Sequence, residues 1–389
     1  MKRLSRSLLQ TFTTTIVALT LSCSCSPRTD DPSIPPENKE EEQDQKKDDN
    51  DKEYFAKAAE EATDALIDFF WKPSRGYFSA NEKFEYWPNA HALDVLTDAY
   101  KRSGNSKYKD LMQPWYDGVK RKNIGWKNRY YDDMEWCALA LQRAFQVTGN
   151  QKFDTTGEKI WGYIKQGWTE ELGGGLLWRV DIFNPSKNAC SNAPAAIYAA
   201  RQYRATKNPD FLEWADKIYE WQHTNLFNEK TGAVYDNIDI RKNKLNKQVF
   251  TYNQGTFIGC AVELLYIHGD DKYLNDAVSA ADYTLDNLVK NGVLTPGDNG
   301  DGGLFNGIFI RYLEQLIRHP KLDKAKKDRY TAFILGNARI LLKDGRSLEH
   351  PGLYGPNWRQ KLTSRPALTP QLSAAMLLES AASLTRDKE

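Results

Sequence analysis

Two adjacent aspartates, Asp132 and Asp133, are the residues of this 389-residue chain best placed to do chemistry. They stand in Arg129-Tyr130-Tyr131-Asp132-Asp133-Met134-Glu135-Trp136, between aromatic residues and ahead of a stretch too apolar to face water. Cleavage of a glycosidic bond needs two carboxyl groups, and enzymes that retain configuration hold them about 5 Å apart, one as nucleophile and one as acid then base. Sequence neighbours cannot face the same way within a regular helix, but at the turn entering one they can diverge to opposite sides of a bound bond. Two close carboxylates also repel, so one keeps its proton near neutrality and supplies the acid. The competing reading is helix capping, because Asp is favoured at the N-cap and first turn, where free N–H groups and the positive dipole end lie. Position separates the two readings.

Similar polar and aromatic clusters recur along the chain: Phe84 to His91, Gly173 to Trp178 followed by Lys187 to Asn192, Phe250 to Gly255, and Asp301 to Phe309. Trp87, Trp178, Tyr252 and Phe305 are candidates to stack on pyranose faces, against a packing role under the rim. Asn89, Asn188, Asn192, Asn253 and Gln254 are candidates to bond sugar hydroxyls, although Asn before a helix is by default a cap. Gly173-Gly174-Gly175 reads as a turn without the spacing of a phosphate loop. Asp298-Asn299-Gly300-Asp301 departs from calcium-loop spacing and reads as a solvated turn. His91 reads as a helix-face residue.

The elements that must position these clusters have helical periodicity. Phe211, Leu212, Trp214, Ala215, Ile218, Tyr219 and Trp221 repeat at three-four spacing among charges, whereas Gly255 to Ile267 and Met134 to Phe145 are apolar nearly all round. The pattern predicts about twelve helices, near 52–71, 89–103, 107–121, 132–148, 152–166, 192–206, 209–224, 253–268, 271–290, 304–318, 325–344 and 369–386. Connections after even-numbered helices are short, and those after odd-numbered ones are long. All long loops then fall on one rim, with the apolar, small-residue even helices inside and the amphipathic odd helices outside. Six helical hairpins closed into a double ring, an all-α (α/α)6 toroid, satisfy this. An open superhelix is the rival, but no fixed sequence period supports it. If the inner helices run parallel, their N-termini gather the clusters at one mouth.

Composition removes other function classes. A net charge of +1 gives no nucleic-acid footprint, and there is no dinucleotide fingerprint. Cys137, Cys190 and Cys260 read as buried thiols, the five histidines are scattered, and no zinc-ligand spacing occurs, so neither metal nor cofactor is expected. Basic Met1 to Arg6, a short apolar stretch from Leu8 and then Ser22-Cys23 read as an export signal over 1–22. Residues 23–52, acidic and proline-bearing, read as a disordered tether, and 53–389 as the catalytic domain.

Leu21-Ser22-Cys23 resembles a bacterial lipobox, with Cys23 the lipidated residue and Cys25 a second choice, and the acidic stretch behind it resembles that of Bacteroidota surface lipoproteins. This implies attachment to the outer membrane. Tyr131 to Ala140, Gly174-Gly175-Leu176-Leu177-Trp178, Lys187-Asn188-Ala189 with Asn192, Tyr252-Asn253-Gln254-Gly255 and Asn306-Gly307-Ile308-Phe309 resemble glycoside hydrolase family 76, the endo-α-1,6-mannanases, from about Glu53 onward. The resemblance implies a six-hairpin toroid, α-mannan as substrate, retention, Asp132 as nucleophile and Asp133 as acid/base. It also places Tyr131, Lys187 and Phe309 among the substrate-binding candidates, in a monomer without cofactor. The chain departs from the family pattern at Asn306, where Lys is common, and at Leu177, where a second Trp is common. Two alternatives stay open: a non-catalytic surface glycan-binding lipoprotein in which the aspartates are caps, and a related toroid acting on another glycan or transferring rather than hydrolysing.

Overall fold

The structure, a computed structural model, describes residues 37–81, 83–181, 183 and 185–386. The export signal, Cys23 and Cys25 lie outside the described residues. Two units are distinguished, 1–45 and 46–389, and everything below concerns the second except the start of the first helix.

Thirteen α-helices occur among the described residues: α1 (Glu37–Phe70), α2 (Tyr86–Ser103), α3 (Ser106–Asp110), α4 (Met112–Lys122), α5 (Tyr131–Thr148), α6 (Gln151–Ile164), α7 (Ala193–Thr206), α8 (Pro209–Leu226), α9 (Thr251–His268), α10 (Asp271–Asn287), α11 (Gly302–Ile317), α12 (Lys324–Ile340) and α13 (Leu368–Arg386). They correspond one for one with the twelve expected helices, except that the third is broken at Leu111 into α3 and α4. The first begins at Glu37 rather than near 52, so the part of the expected tether from 37 to 52 is helical. Its Glu, Gln and Lys residues are good helix formers, a preference that a reading of the segment by its lack of apolar residues passes over.

The inner ring is α2, α5, α7, α9, α11 and α13. Each packs on the next, and α13 packs back on α2, which closes the (α/α)6 toroid. These helices are buried on nearly every face, as their composition requires: α9 and α13 expose almost nothing before their last turn. Close approach between neighbours depends on small residues. A Cβ on Gly255 of α9 would stand 2.7 Å from the Phe309 Cα of α11, and one on Gly307 of α11 2.6 Å from the Ser373 Cα of α13.

One turn type reverses the chain after four inner helices. A residue at positive φ (Gly104, Gly149, Lys207 or Gly269) ends the helix. The next residue (Asn105, Asn150, Asn208 or Asp270) then accepts the N–H two positions on, which starts the outer helix.

The long connections carry short antiparallel strands that periodicity did not predict. These are β1 (Trp71–Lys72) with β2 (Tyr77–Phe78), β4 (Phe227–Asn228) with β5 (Ala233–Val234), and β8 (Val289–Lys290) with β9 (Val293–Leu294). A three-stranded sheet of order β3 (Ser186–Asn188), β6 (Asn237–Asp239), β7 (Lys244–Asn246) joins the loops before α7 and α9. Strands of two or three residues are too short for an alternating pattern to register.

Candidate active site

Asp132 and Asp133 occupy the second and third positions of α5, whose N-cap is Tyr130, a residue with extended backbone and no capping side chain. Neither aspartate is the N-cap. Oδ2 of Asp132 accepts the Trp178 indole N–H at 3.3 Å and the Cys190 thiol at 3.4 Å. Its Oδ1 is buried and has no hydrogen-bond partner among the described residues.

Burial pushes the Asp132 pKa up to about 6, against the opposing pull of the thiol, the indole and the first-turn amides. Asp133 is pushed well above the usual carboxylate range, by burial first and then by the charges of Asp132 and Asp301. The neighbours differ. The charge of Asp132 bears on Cys190 and Tyr252, whereas that of Asp133 bears on Tyr86 and Cys137. The carboxyl groups therefore diverge, Asp132 toward the α7–α9 side of the mouth and Asp133 toward the α2 side.

Aromatic side chains frame the pair. Trp178 lies 5.1 Å from Tyr130, and Tyr252 stacks on Phe305 at 4.0 Å with the rings nearly parallel. The Trp87 indole donates to Asp301 Oδ1 at 3.0 Å, which ties the start of α2 to the start of α11. Trp87, Trp178, Tyr252 and Phe305 are each partly exposed, as a stacking surface requires.

Several expected substrate contacts are engaged elsewhere. Asn89 bonds both the N–H and the C=O of Phe78, at 2.8 and 3.0 Å. Asn192 does the same to Leu176, at 2.9 and 3.2 Å. Gln254 accepts from Val234 and donates to Gly232. In each case a carboxamide on an inner helix, or at its N-cap for Asn192, pairs with the preceding loop as a neighbouring strand would, and Gln371 repeats the device with Tyr354 and Gly352. Lys187, fully buried, donates to the carbonyls of Thr169, Glu171 and Gly174. It shapes the glycine loop instead of pointing at a sugar, because that turn leaves several carbonyls without N–H partners. Phe309 is fully buried at the α9–α11 contact, and Tyr131 is buried against Gly167. The polar groups of Asn89, Asn192, Gln254 and Lys187 are thus engaged by backbone, and Phe309 and Tyr131 are packed in the interior.

Asn188 and Asn253 instead bond other side chains. Asn188 Oδ1 accepts the Ser186 hydroxyl at 2.7 Å. Asn253 donates to Asp236 at 3.3 Å, while its buried Oδ1 has no partner among the described residues.

Four further side chains bear on the site. Cys190, a buried thiol as its sequence context predicts, also holds Asp132. Asp301, expected in a solvated turn, accepts the Trp87 indole. Asp236, between β5 and β6, gathers Asn237, Asn246 and Asn253 and is itself raised by burial. Glu135 is a fully buried carboxyl on α5, raised by burial and then by Asp132. A lone Glu in an apolar helix was the one signal available. His91 is buried and its pKa is lowered to about 3, chiefly by desolvation, so it is neutral and no proton donor at neutral pH. No cluster suited to a metal ion occurs among the described residues.

The model of glycosyl hydrolase family 76 matches residues 54–388. The GH76A alpha-1,6-mannanase from Salegentibacter sp. HEL1_6 is 39% identical, with 85% of this chain and 99% of that chain covered and a TM-score of 0.81. An inactive variant of that enzyme, with two neighbouring aspartates changed to asparagine, has been solved with alpha-1,6-mannotriose; it is 38% identical with the same coverage and TM-score. The mannan endo-1,6-alpha-mannosidase DCW1 of Eremothecium gossypii is 26% identical over 63% of this chain and 57% of its own length. The chain thus spans little more than half of that relative. With a match over most of its length, a closed double ring of helices and paired aspartates at its mouth, the chain belongs to glycosyl hydrolase family 76.

Proposed function

We propose that this chain is an endo-acting α-1,6-mannanase that cleaves mannan backbones with retention of configuration, Asp132 attacking and Asp133 serving as acid and then base. The observation that carries the reading is the asymmetry of the pair. Asp132 accepts two side-chain donors on one oxygen and keeps the other without a partner among the described residues, whereas Asp133 faces the charges of two other carboxylates. Asp132 is therefore the first of the two to ionise and Asp133 the one that keeps its proton at neutral pH. This supports the same order of roles that the family resemblance implies.

In the first step Oδ1 of Asp132 forms a bond to the anomeric carbon as the glycosidic bond breaks, and Asp133 gives its proton to the departing O6. In the second, Asp133 takes a proton from water, whose oxygen attacks the anomeric carbon and releases Asp132. The Salegentibacter relative, inactivated at two neighbouring aspartates and solved with a mannose oligomer, supports both substrate and residues.

Asp132→Asn and Asp133→Asn should each abolish cleavage of debranched α-1,6-mannan while the protein stays folded. Proton NMR of the first product formed should show the α-anomer. Near-normal activity in either variant, or an initial β-anomer, would sink the mechanism, and binding of mannan without turnover by the parent protein would favour the glycan-binding alternative.

We further propose that the chain is a bacterial outer-membrane lipoprotein, lipidated at Cys23. Support comes from the basic start, the short apolar stretch and Ser22-Cys23. Labelling with radioactive palmitate should be lost in Cys23→Ala and kept in Cys25→Ala.

A further inference from the structure

A second cavity, of about 960 Å³, opens where the inner helices end, away from the aspartates. All six inner helices contribute to its wall from their C-terminal halves, through Arg102 of α2, Arg143 of α5, Arg201 and Arg204 of α7, Glu263 of α9, Arg311 of α11 and Glu379 of α13. Arg143 lies ten residues beyond Asp133 on α5, or about 15 Å along the helix. The two sites are therefore separate.

The lining is strongly cationic. Nine Lys and Arg side chains face it against four Asp and Glu. The bland account is that cations collect at helix C-termini to balance the negative dipole end, about half a charge per helix. The helix ends, with Asp94, which pairs with Arg143 from behind, offset much of this excess, so the case rests on how the guanidinium groups are held.

The arginines are also held in place by shared acids. Asp98 pairs with both Arg143 and Arg311, and Glu263 with both Arg201 and Arg204. One carboxylate cannot satisfy two guanidinium groups, each of which carries five N–H donors in a fixed fork. The buried Nε of Arg311 has no hydrogen-bond partner among the described residues. Lys101 and Lys207 stand at the wall with no ion pair to an acid among the described residues, and the charges of Arg143, Asp98, Glu314 and Arg311 all bear on Lys101. Fixed forks with spare donors around an open cavity match oxyanions of tetrahedral geometry.

We propose that this cavity is an anion-binding site for a ligand carrying two or more phosphate or sulfate groups. Its volume lies within the range of small-ligand sites and far exceeds one tetrahedral oxyanion, which is why a multiply charged ligand is assigned. The site is independent of the proposed hydrolysis and stands or falls by itself.

Inorganic pyrophosphate is the probe, with binding followed by calorimetry on the full chain. Binding should saturate, weaken as salt rises and persist in the presence of mannotriose. The triple variant Lys101→Gln, Arg204→Gln, Lys207→Gln changes rim residues and no part of the catalytic machinery. It should bind pyrophosphate about tenfold or more weakly and cleave mannan as the parent does. Displacement of pyrophosphate by vesicles of an anionic phospholipid would support the site with a headgroup as source, and displacement by a phosphorylated oligosaccharide would support it with a glycan as source. Absence of saturable pyrophosphate binding, equal binding by the folded triple variant, or loss of binding with mannotriose would each overturn the proposal.

Discussion

Asp132 and Asp133 differ by what donates to them. The Trp178 indole and the Cys190 thiol favour the ionised form of Asp132. Removing either donor should raise its pKa, and the attacking carboxylate would then be ionised only at higher pH. Trp178→Phe is expected to lower kcat about tenfold, and Cys190→Ala about threefold, with smaller changes in KM. In both, the acidic limb of the kcat/KM profile should move to higher pH; a limb that stays in place while kcat falls would show that these side chains do not act through Asp132.

Asp133 is costly to the fold. Its folded pKa lies above the unfolded value, so the native state binds more protons, and stability is lost as pH rises from the unfolded value through the folded one. Asp133→Asn removes that loss. It should melt about 1–3 °C higher than the parent at pH 7, with the gain vanishing near pH 4. A variant that melts lower at pH 7 would contradict the account.

At the scale of elements, the loops before inner helices owe their shape to buried polar side chains that bond their backbone: the carboxamides of Asn89, Gln254 and the N-cap Asn192 from the inner helices, and the ammonium of Lys187 from β3. Lys187→Met keeps the volume and removes every donor, leaving the carbonyls of Thr169, Glu171 and Gly174 buried without it. A loss of about 1–3 kcal/mol in urea unfolding is expected, with reduced activity because the glycine loop leads into Trp178. Unchanged stability would mean that water takes over the carbonyls.

The same residues mark how far the sequence could be read. Helix count and the alternation of short and long loops were legible, because a period of three to four residues repeated over many turns is a strong signal. That Asp132, Trp178 and Tyr252 share a mouth followed from this alternation. What Asn192 or Lys187 bonds was not legible, since a polar residue before an apolar helix looks the same whether it faces a sugar or a backbone. Cys190 and Asp301 were passed over for a related reason: their roles arise from contacts 58 residues away, with Asp132, and 214 residues away, with Trp87.

For the molecule as a whole, the decisive feature is closure, and α13 makes it. This last helix packs on α11, α12 and α2. Arg102 of α2 pairs with Glu379 of α13 at 2.7 Å, both nearly buried, and Gln371 donates to the Ala62 carbonyl of α1. A chain ending at residue 367 would leave the apolar sides of α2 and α11 facing water and open the ring to edge-on association. Such a chain should be insoluble or oligomeric and inactive, although Asp132 and Asp133 stand far from the cut in sequence. Adding the 368–389 segment back as a peptide should restore some activity if the remaining helices hold their places. A truncated protein that stayed monomeric, melted cooperatively and cleaved mannan would mean that five inner helices suffice, and that closure contributes nothing to the catalytic mouth.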